Sequence, residues 1–384
     1  KILPVKKKLS CFRLSMIRND STPANSEDAD KINSDKSLIP TGNLPHYLPA
    51  FLELSRHDIA RKFSIINQYE NSIRSKPCAF LEHTSICMRN RYPKIQPWAH
   101  NNICLKGLSF PENYINASLV KLEGHQDYYI ATQGPGTGAA LLHFWQMAWQ
   151  ENVEVIVMLT RYIESGQIKC DVYIPIQPGD KITLRADPEP AWGQIECLNL
   201  QIKDWGEIRD LRIVKWRDNC IVGEHLLTHL FFTRWPDHQV PLEKNDQVAL
   251  VNLIKLSHLK MSQKLGDKVA PRIVHCSAGV GRTGTFIALD LLLQELGNGK
   301  WDHLENSEDP IFNTVRQLRE QRMGLVYNLE QYAFLYRILK ESWEKRIAQI
   351  SSCTSMLAPQ TENANAITKR DCTNSKLKND CGNL

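Results

Sequence analysis

Apolar residues return at three- and four-residue steps through residues 48–74, at Phe51, Leu54, Ile59, Phe63 and Ile66. That spacing lines one side of a helix and predicts an amphipathic α-helix there. From Tyr114 to Phe232 the pattern breaks into short runs rich in β-branched and aromatic residues, at 127–132, 153–159, 170–174, 194–200, 211–216 and 227–232. Each predicts a strand. The last four lie close together and predict antiparallel pairing, while 153–159, apolar at nearly every position, predicts a strand buried on both faces. Helical spacing returns in residues 246–265, 283–296, 311–321 and 329–350. The two ends, 1–44 and 349–384, are rich in Ser, Asn, Asp and Lys and carry neither period, so both are expected to be disordered tails. What lies between, residues 45–348, is expected to be one α/β domain of roughly 300 residues with a mixed sheet.

Composition narrows this picture only a little. With 384 residues, 42% of them hydrophobic and 23% charged, the chain has ample material for such a core. The net charge of +5 is mild, and Lys6, Lys7 and Lys8 in the polar N-terminal stretch read as a solvated terminus. No nucleic-acid partner is expected. Eleven cysteines, an odd number with no Cys-x-x-Cys pair, argue for a reducing compartment and against structural zinc, and no metal or other cofactor is expected. The chain begins at Lys1 rather than Met, with no leader of the secretory kind. Its longest apolar runs, such as 153–159 and 287–293, are far short of the ~20 residues of a membrane span, so no transmembrane segment is expected. The final Cys381-Gly382-Asn383-Leu384 has the spacing of a prenylation box but a polar central pair, so lipid anchoring is not expected either.

The chemistry concentrates in ten positions. His275-Cys276-Ser277-Ala278-Gly279-Val280-Gly281-Arg282-Thr283-Gly284 follows the apolar pair Ile273-Val274, which fits the end of a buried strand, and leads into the helical pattern from Thr283. Gly279 and Gly281 let the backbone curl so that successive N–H groups converge, and the start of the helix adds its free N–H groups and positive dipole end. Such a loop cradles an anion. Arg282 supplies a planar fork matched to two phosphoryl oxygens. A thiol at the mouth of this cradle feels the same field, which is expected to lower its pKa and leave a thiolate nucleophile near neutral pH. Ser277 and Thr283 could add hydroxyl hydrogen bonds to the sulfur, although either hydroxyl could serve as a helix cap instead. A cysteine taken alone would read as an inert core residue; the mutually required offsets of thiol, glycines and arginine argue otherwise.

These ten residues resemble the signature of the protein tyrosine phosphatases, specifically the tyrosine-specific receptor and non-receptor class. The resemblance extends over about residues 60–345, and it implies a single catalytic domain at 45–348 whose mixed sheet is highly twisted and flanked by helices. It assigns Cys276 as nucleophile, Arg282 and the loop residues Ser277, Ala278, Gly279, Val280 and Gly281 as phosphate binders, and Thr283 as a partner of the sulfur. Trp235-Pro236-Asp237 resembles the mobile loop of the family, with Asp237 as general acid in the first step and base toward water in the second. A bare Trp-Pro-Asp would otherwise read as a turn. Asn90-Arg91-Tyr92 resembles the phosphotyrosine-recognition loop, with Tyr92 stacking on the substrate ring. Glu164 resembles the glutamate that holds the arginine, with a solvated surface pair as the alternative, and Gln331 the second water-handling glutamine. Tyr114-Ile-Asn-Ala-Ser, Thr132-Gln-Gly-Pro and Phe144-Trp-Gln-Met-Ala-Trp match scaffold motifs.

The chain also departs from the family pattern. Lys94 stands where the family has an aspartate that grips the substrate backbone, and Tyr327 where it has the principal glutamine that orients water. Gln239 replaces a glycine after the acid loop, Trp98-Ala99 an aromatic-aspartate pair, and Val172 and Ile174 a glutamine and a tryptophan. Divergence of this kind, with long polar tails, resembles the phosphatases carried by insect symbiotic viruses. The resemblance thus implies hydrolysis of phosphotyrosine in proteins through a cysteinyl phosphate, in the cytoplasm of a cell or of a host cell. Tyr327 and Lys94 motivate an alternative, a catalytically impaired trap that binds phosphotyrosine proteins. Phosphoinositide or RNA-phosphate hydrolysis is disfavoured, because related thiol loops with those substrates carry lysine or histidine between cysteine and arginine, where this chain has Ala278 and Val280.

Overall fold

A computed structural model describes residues 48–357 apart from 187, 263–269 and 306. The expected N-terminal tail, most of the expected C-terminal tail and the prenylation-like terminus lie outside the described residues. A 3-10 turn (Ala50–Glu53) precedes α1 (Arg56–Arg74), α2 (Thr84–Cys87), β1 (Asn102–Cys104), β2 (Tyr114–Val120), β3 (Tyr129–Thr132), α3 (Ala139–Gln150) and β4 (Val155–Met158). Then come β5 (Ile163–Glu164), β6 (Gln167–Ile168), β7 (Lys181–Leu184), β8 (Gly193–Lys203), β9 (Gly206–Arg217), β10 (Cys220–Phe232) and α4 (Lys244–Ser262). The chain closes with β11 (Arg272–His275), α5 (Gly281–Gly297), α6 (Pro310–Gln321) and α7 (Leu329–Leu357).

Nine strands form one sheet in the order β1-β2-β3-β11-β4-β10-β9-β8-β7. The neighbours β3, β11, β4 and β10 run parallel, and both flanks are antiparallel. This is the mixed sheet flanked by helices expected of the sequence. β3, β4 and β11 are buried at every position, as parallel strands covered on both faces must be. Their alternate residues divide between two cores. Val155 and Val157 join Val274, Phe286 and Leu335 beneath the helices α5 and α7, while Ile156 and Met158 join Ile273, Phe144 and Trp145 beneath α3. The period of two thus becomes two apolar layers, and the sheet between them carries the C-terminal end of β11 to the site.

Four expectations change. The helix anticipated over 48–74 is interrupted, because Ser55 is extended and its hydroxyl accepts the Asp58 N–H (3.1 Å), starting α1 at Arg56. The run 170–174 is not a strand. Tyr173 is buried there with its hydroxyl between two histidines and its carbonyl accepting the Trp145 indole N–H (3.0 Å), and the N–H groups of Cys170 and Asp171 donate to the Tyr162 (3.4 Å) and Pro135 (3.2 Å) carbonyls, so scattered contacts rather than a ladder satisfy the segment, and β7 takes the expected place beside β8. A helix, α3, occupies part of the stretch read as strand-rich; its Phe144, Trp145, Met147 and Ala148 are all buried, which hides the amphipathic signal. Finally, α7 runs on past position 348, where the domain was expected to end. Among the described residues no helix is long and apolar enough to cross a membrane.

Candidate active site

β11 ends at His275 and α5 begins at Gly281, so Cys276 to Val280 form the turn between a buried strand and a buried helix. The turn is held from outside by the scaffold motifs. Gly279 has φ +69°, a conformation that glycine adopts without strain, and a Cβ there would fall 2.1 Å from the Thr132 carbonyl oxygen. Gly134 N–H donates to the Ser277 carbonyl (2.9 Å). Beneath the loop the buried Arg322 donates to the carbonyls of Gly279 (2.9 Å) and Ala278 (3.2 Å) and to Asn116 (2.7 Å). With these carbonyls turned outward onto fixed donors, the loop N–H groups are left for the inside. We expect Gly279→Ala to be the most disruptive single-methyl change in the loop, since left-handed strain of ~1–3 kcal/mol adds to an overlap with backbone that cannot move aside. Loss of phosphate-analogue binding together with a lower melting temperature would check it.

Cys276 is 4% exposed. Burial alone would raise its thiol pKa, but the Arg282 charge, the Thr283 hydroxyl and the N–H groups of Thr283 and Val280 outweigh burial and hold it below 9.0. The Thr283 hydroxyl has no other partner among the described residues. Ser277 does not take the sulfur-stabilising place considered for it: its hydroxyl donates to the Lys169 carbonyl (2.8 Å) and pairs with the Tyr92 hydroxyl (2.8 Å). Behind the thiol, His275 Nε2 meets the Tyr173 hydroxyl (2.6 Å) and Nδ1 meets the Cys276 carbonyl (3.2 Å). Full burial lowers the His275 pKa to about 4, so the ring is neutral at physiological pH and acts as a strut rather than a charge.

Arg282 is clamped. Its two terminal nitrogens meet both Glu164 oxygens (2.7 and 2.8 Å), and Nη1 also donates to the carbonyls of Leu159 (3.1 Å) and Trp235 (3.2 Å). Nη2 reaches Asp237 Oδ1 (2.9 Å). The Glu164 pair is therefore a buried bidentate one, not the solvated surface pair left open by the sequence. Asp237 Oδ2 meets Lys169 Nζ at 2.7 Å. Burial pushes the Asp237 carboxyl up, but the Lys169 hydrogen bond and the charges of Arg282 and His238 prevail and hold it below 3.8. Trp235, 2% exposed, donates its indole N–H to the Gln239 carbonyl (2.9 Å), which closes the loop on itself. The left-handed residue of that loop is His238 (φ +55°), so Gln239 stands in for glycine without backbone strain in this conformation.

The sequence profile described as Protein-tyrosine phosphatase matches residues 87–341. The chain belongs to the protein-tyrosine phosphatase family. It is 35% identical over 262 residues to rat tyrosine-protein phosphatase non-receptor type 20, covering 68% of this chain and 55% of that protein. It is 37% identical over 257 residues to the rat phosphatidylinositol phosphatase PTPRQ, covering 65% of this chain and 10% of that protein. Among solved structures, the catalytic domain of human protein tyrosine phosphatase non-receptor type 18 is 25% identical, with a TM-score of 0.63 over 77% of this chain and 99% of that one. PTPN18 in complex with HER2-pY1248 phosphopeptides is 26% identical, with a TM-score of 0.62 over 74% of this chain and 99% of that one. The chain spans about half the length of the non-receptor type 20 relatives it matches.

In this family member a cavity of about 240 Å³ opens over the thiol. Cys276, Ser277, Ala278, Val280, Gly281, Arg282, Asp237, Tyr92 and Gln331 all line it, while Glu164, Trp235, Gly279 and Thr283 stand behind the lining. Tyr92 forms one wall, fixed at its hydroxyl by Ser277. Lys94 lies at the exposed tip of a turn closed by Ile95 N–H onto the Tyr92 carbonyl (2.9 Å). Tyr327 lines the mouth and is 52% exposed.

Two functional positions escaped the sequence. Lys169 was visible only as a neighbour of Glu164, and its pairing with Asp237 depends on the short β5–β6 hairpin folding back over the site. Arg322 carried no signal, because a buried arginine held by two backbone carbonyls and the uncharged side chains of Asn116 and Ser118 looks like any other arginine in a sequence.

Proposed function

We propose that this chain hydrolyses phosphotyrosine in proteins by way of a phosphocysteine at Cys276. In the first step the thiolate forms an S–P bond as the P–O bond to the tyrosine breaks, and Asp237 gives its proton to the departing phenolate oxygen. In the second step Asp237 takes a proton from water as the new O–P bond forms and the S–P bond breaks, releasing inorganic phosphate and the thiolate. Loop N–H groups and Arg282 face the equatorial oxygens throughout, where charge is greatest. The observation that carries the reading is the shared guanidinium: Arg282 is joined to both Glu164 and Asp237, and its charge is the largest influence that lowers the Cys276 pKa.

The low pKa of Asp237 is consistent with this role. A bound phosphoryl dianion would compete for Arg282 Nη2 and add negative charge beside the carboxyl, and both changes raise its pKa and favour the protonated acid. Phosphotyrosine is favoured over phosphoinositides by the aromatic wall at Tyr92 and by the uncharged Ala278 and Val280, which add no cations for extra phosphates. The test is turnover of a phosphotyrosine peptide beside soluble phosphoinositides. Peptide hydrolysis that exceeds phosphoinositide hydrolysis by ten-fold or more in kcat/KM is expected. The reverse preference, or no turnover of either, would refute the proposal.

A further inference from the structure

We propose that Asn328 is a positioning residue for the acid loop, holding Asp237 where its proton reaches the departing tyrosine oxygen, an inference that rests on the phosphotyrosine hydrolysis proposed above. The loop turns at His238, directly after the acid, and does so in a left-handed conformation (φ +55°) that is disfavoured for a residue with a side chain. Such a conformation persists where the surroundings over-determine it. Among the described residues two hydrogen bonds hold the His238 backbone. Its N–H donates to Asp237 Oδ1 (3.1 Å), which ties the turn to the carboxyl itself, and its carbonyl accepts Asn328 Nδ2 (2.9 Å) from outside the loop.

The rest of the loop is tied down elsewhere. Arg161 Nε donates to the Thr233 carbonyl (3.0 Å) at its start, Arg282 Nη1 to the Trp235 carbonyl (3.2 Å), and the buried Gln247 to the carbonyls of Pro241 and Leu242 (3.1 Å each) at its end. These contacts fix the two ends and the buried tryptophan. His238 itself is exposed, and the bond from Asn328 is what reaches that turn from the body of the domain.

Asn328 is in turn held by a helix. Its side-chain oxygen accepts the Gln331 N–H (2.9 Å) and its backbone carbonyl accepts the Tyr332 N–H (3.1 Å), so it caps α7. A cap needs only an acceptor, and Asn, Asp and Ser serve almost equally well. Aspartate has the same acceptor and no donor, whereas the asparagine amide has both and gives its oxygen to the helix and its nitrogen to the loop. Because the cap already fixes the side chain, the nitrogen is presented to His238 with little further loss of freedom. The turn beside the acid is thereby steadied from behind, while Lys169 and Arg282 engage the carboxyl oxygens in front.

The test compares Asn328→Asp and Asn328→Ser with the wild-type full chain on a phosphotyrosine peptide and on p-nitrophenyl phosphate, whose leaving group departs without a proton. Both variants keep a capping oxygen, so the melting temperature is expected to stay that of the wild type. Peptide kcat/KM is expected to fall about ten-fold in each, and kcat/KM for p-nitrophenyl phosphate much less. The serine variant adds no charge, so its loss separates the missing bond to His238 from repulsion of the substrate. In an Asp237→Asn background, where the acid is already gone, Asn328→Ser is expected to cost the peptide reaction nothing further. Equal losses on the two substrates, a further loss in the Asp237→Asn background, or an unchanged peptide rate would overturn the role of Asn328 and leave the hydrolase intact. Absence of turnover of either substrate by the wild type would instead bring down the hydrolase reading, and this inference with it. Asn328→Asp carries the same comparisons if the serine variant does not fold.

Discussion

Replacing Cys276 by serine is expected to lower kcat for a phosphotyrosine peptide by about 10⁴-fold or more while the peptide still binds. The loop and Arg282 would be unchanged, so the anion cradle survives; what disappears is an ionised nucleophile. The field that holds this thiol below 9.0 cannot ionise an alcohol to a comparable extent. Steady-state rates and equilibrium binding of the same peptide separate the two effects. The ionisation itself is measurable by alkylation with iodoacetamide. Because the folded pKa is lowered, thiolate persists as pH falls from 9.0 and is lost only on passing below the shifted value, so alkylation should stay fast below the range of an ordinary thiol. Arg282→Ala, which removes the largest lowering influence, should move the midpoint of that curve upward. A midpoint at or above 9.0 in the wild type would contradict the proposed mechanism.

Asp237→Asn is expected to cost about 10²–10⁴-fold in kcat/KM for a peptide, because the tyrosine oxygen then leaves without a proton. The loss should be much smaller for a substrate whose leaving group is already acidic, such as p-nitrophenyl phosphate. The sign of the pH dependence follows from the lowered carboxyl. In the free protein Asp237 is ionised at neutral pH, since its pKa lies below 3.8, so the fraction carrying the required proton falls tenfold per pH unit as pH rises. Wild-type kcat/KM should therefore decline on the alkaline side, and Asp237→Asn should remove that limb. A variant with the wild-type pH profile would show that another group supplies the proton. The same variant, slow in release, is a practical bait for the physiological ligand of the pocket.

The site was legible to unequal degrees for physical reasons. Residues 275–284 could be read directly, because strand end, curled turn and helix start are consecutive and their dipoles add within one local segment. Asp237 and Glu164 were legible only through the resemblance of their surroundings, since a carboxylate 45 or 118 positions from its arginine has no local signature. Ser277 shows the limit within the motif itself. Its position beside the thiol suggested a bond to sulfur, but the Lys169 carbonyl and the Tyr92 hydroxyl, brought from distant segments, take the hydroxyl instead.

Periodicity along the chain was enough to determine the two-faced strands, the buried 153–159 run and the late helices, because each depends on which side of a local element is apolar. It could not determine that 170–174 would be held by the Tyr173 hydroxyl rather than by a ladder, or that α3 would sit among the strands, since both outcomes depend on neighbours contributed by other parts of the chain. Sheet order decided the rest. Placing β11 between β3 and β4 sets the thiol beside Thr132 on one side and Leu159 on the other, and only then can Glu164, Lys169, Asp237 and Arg322 converge on ten residues whose chemistry the sequence had already written.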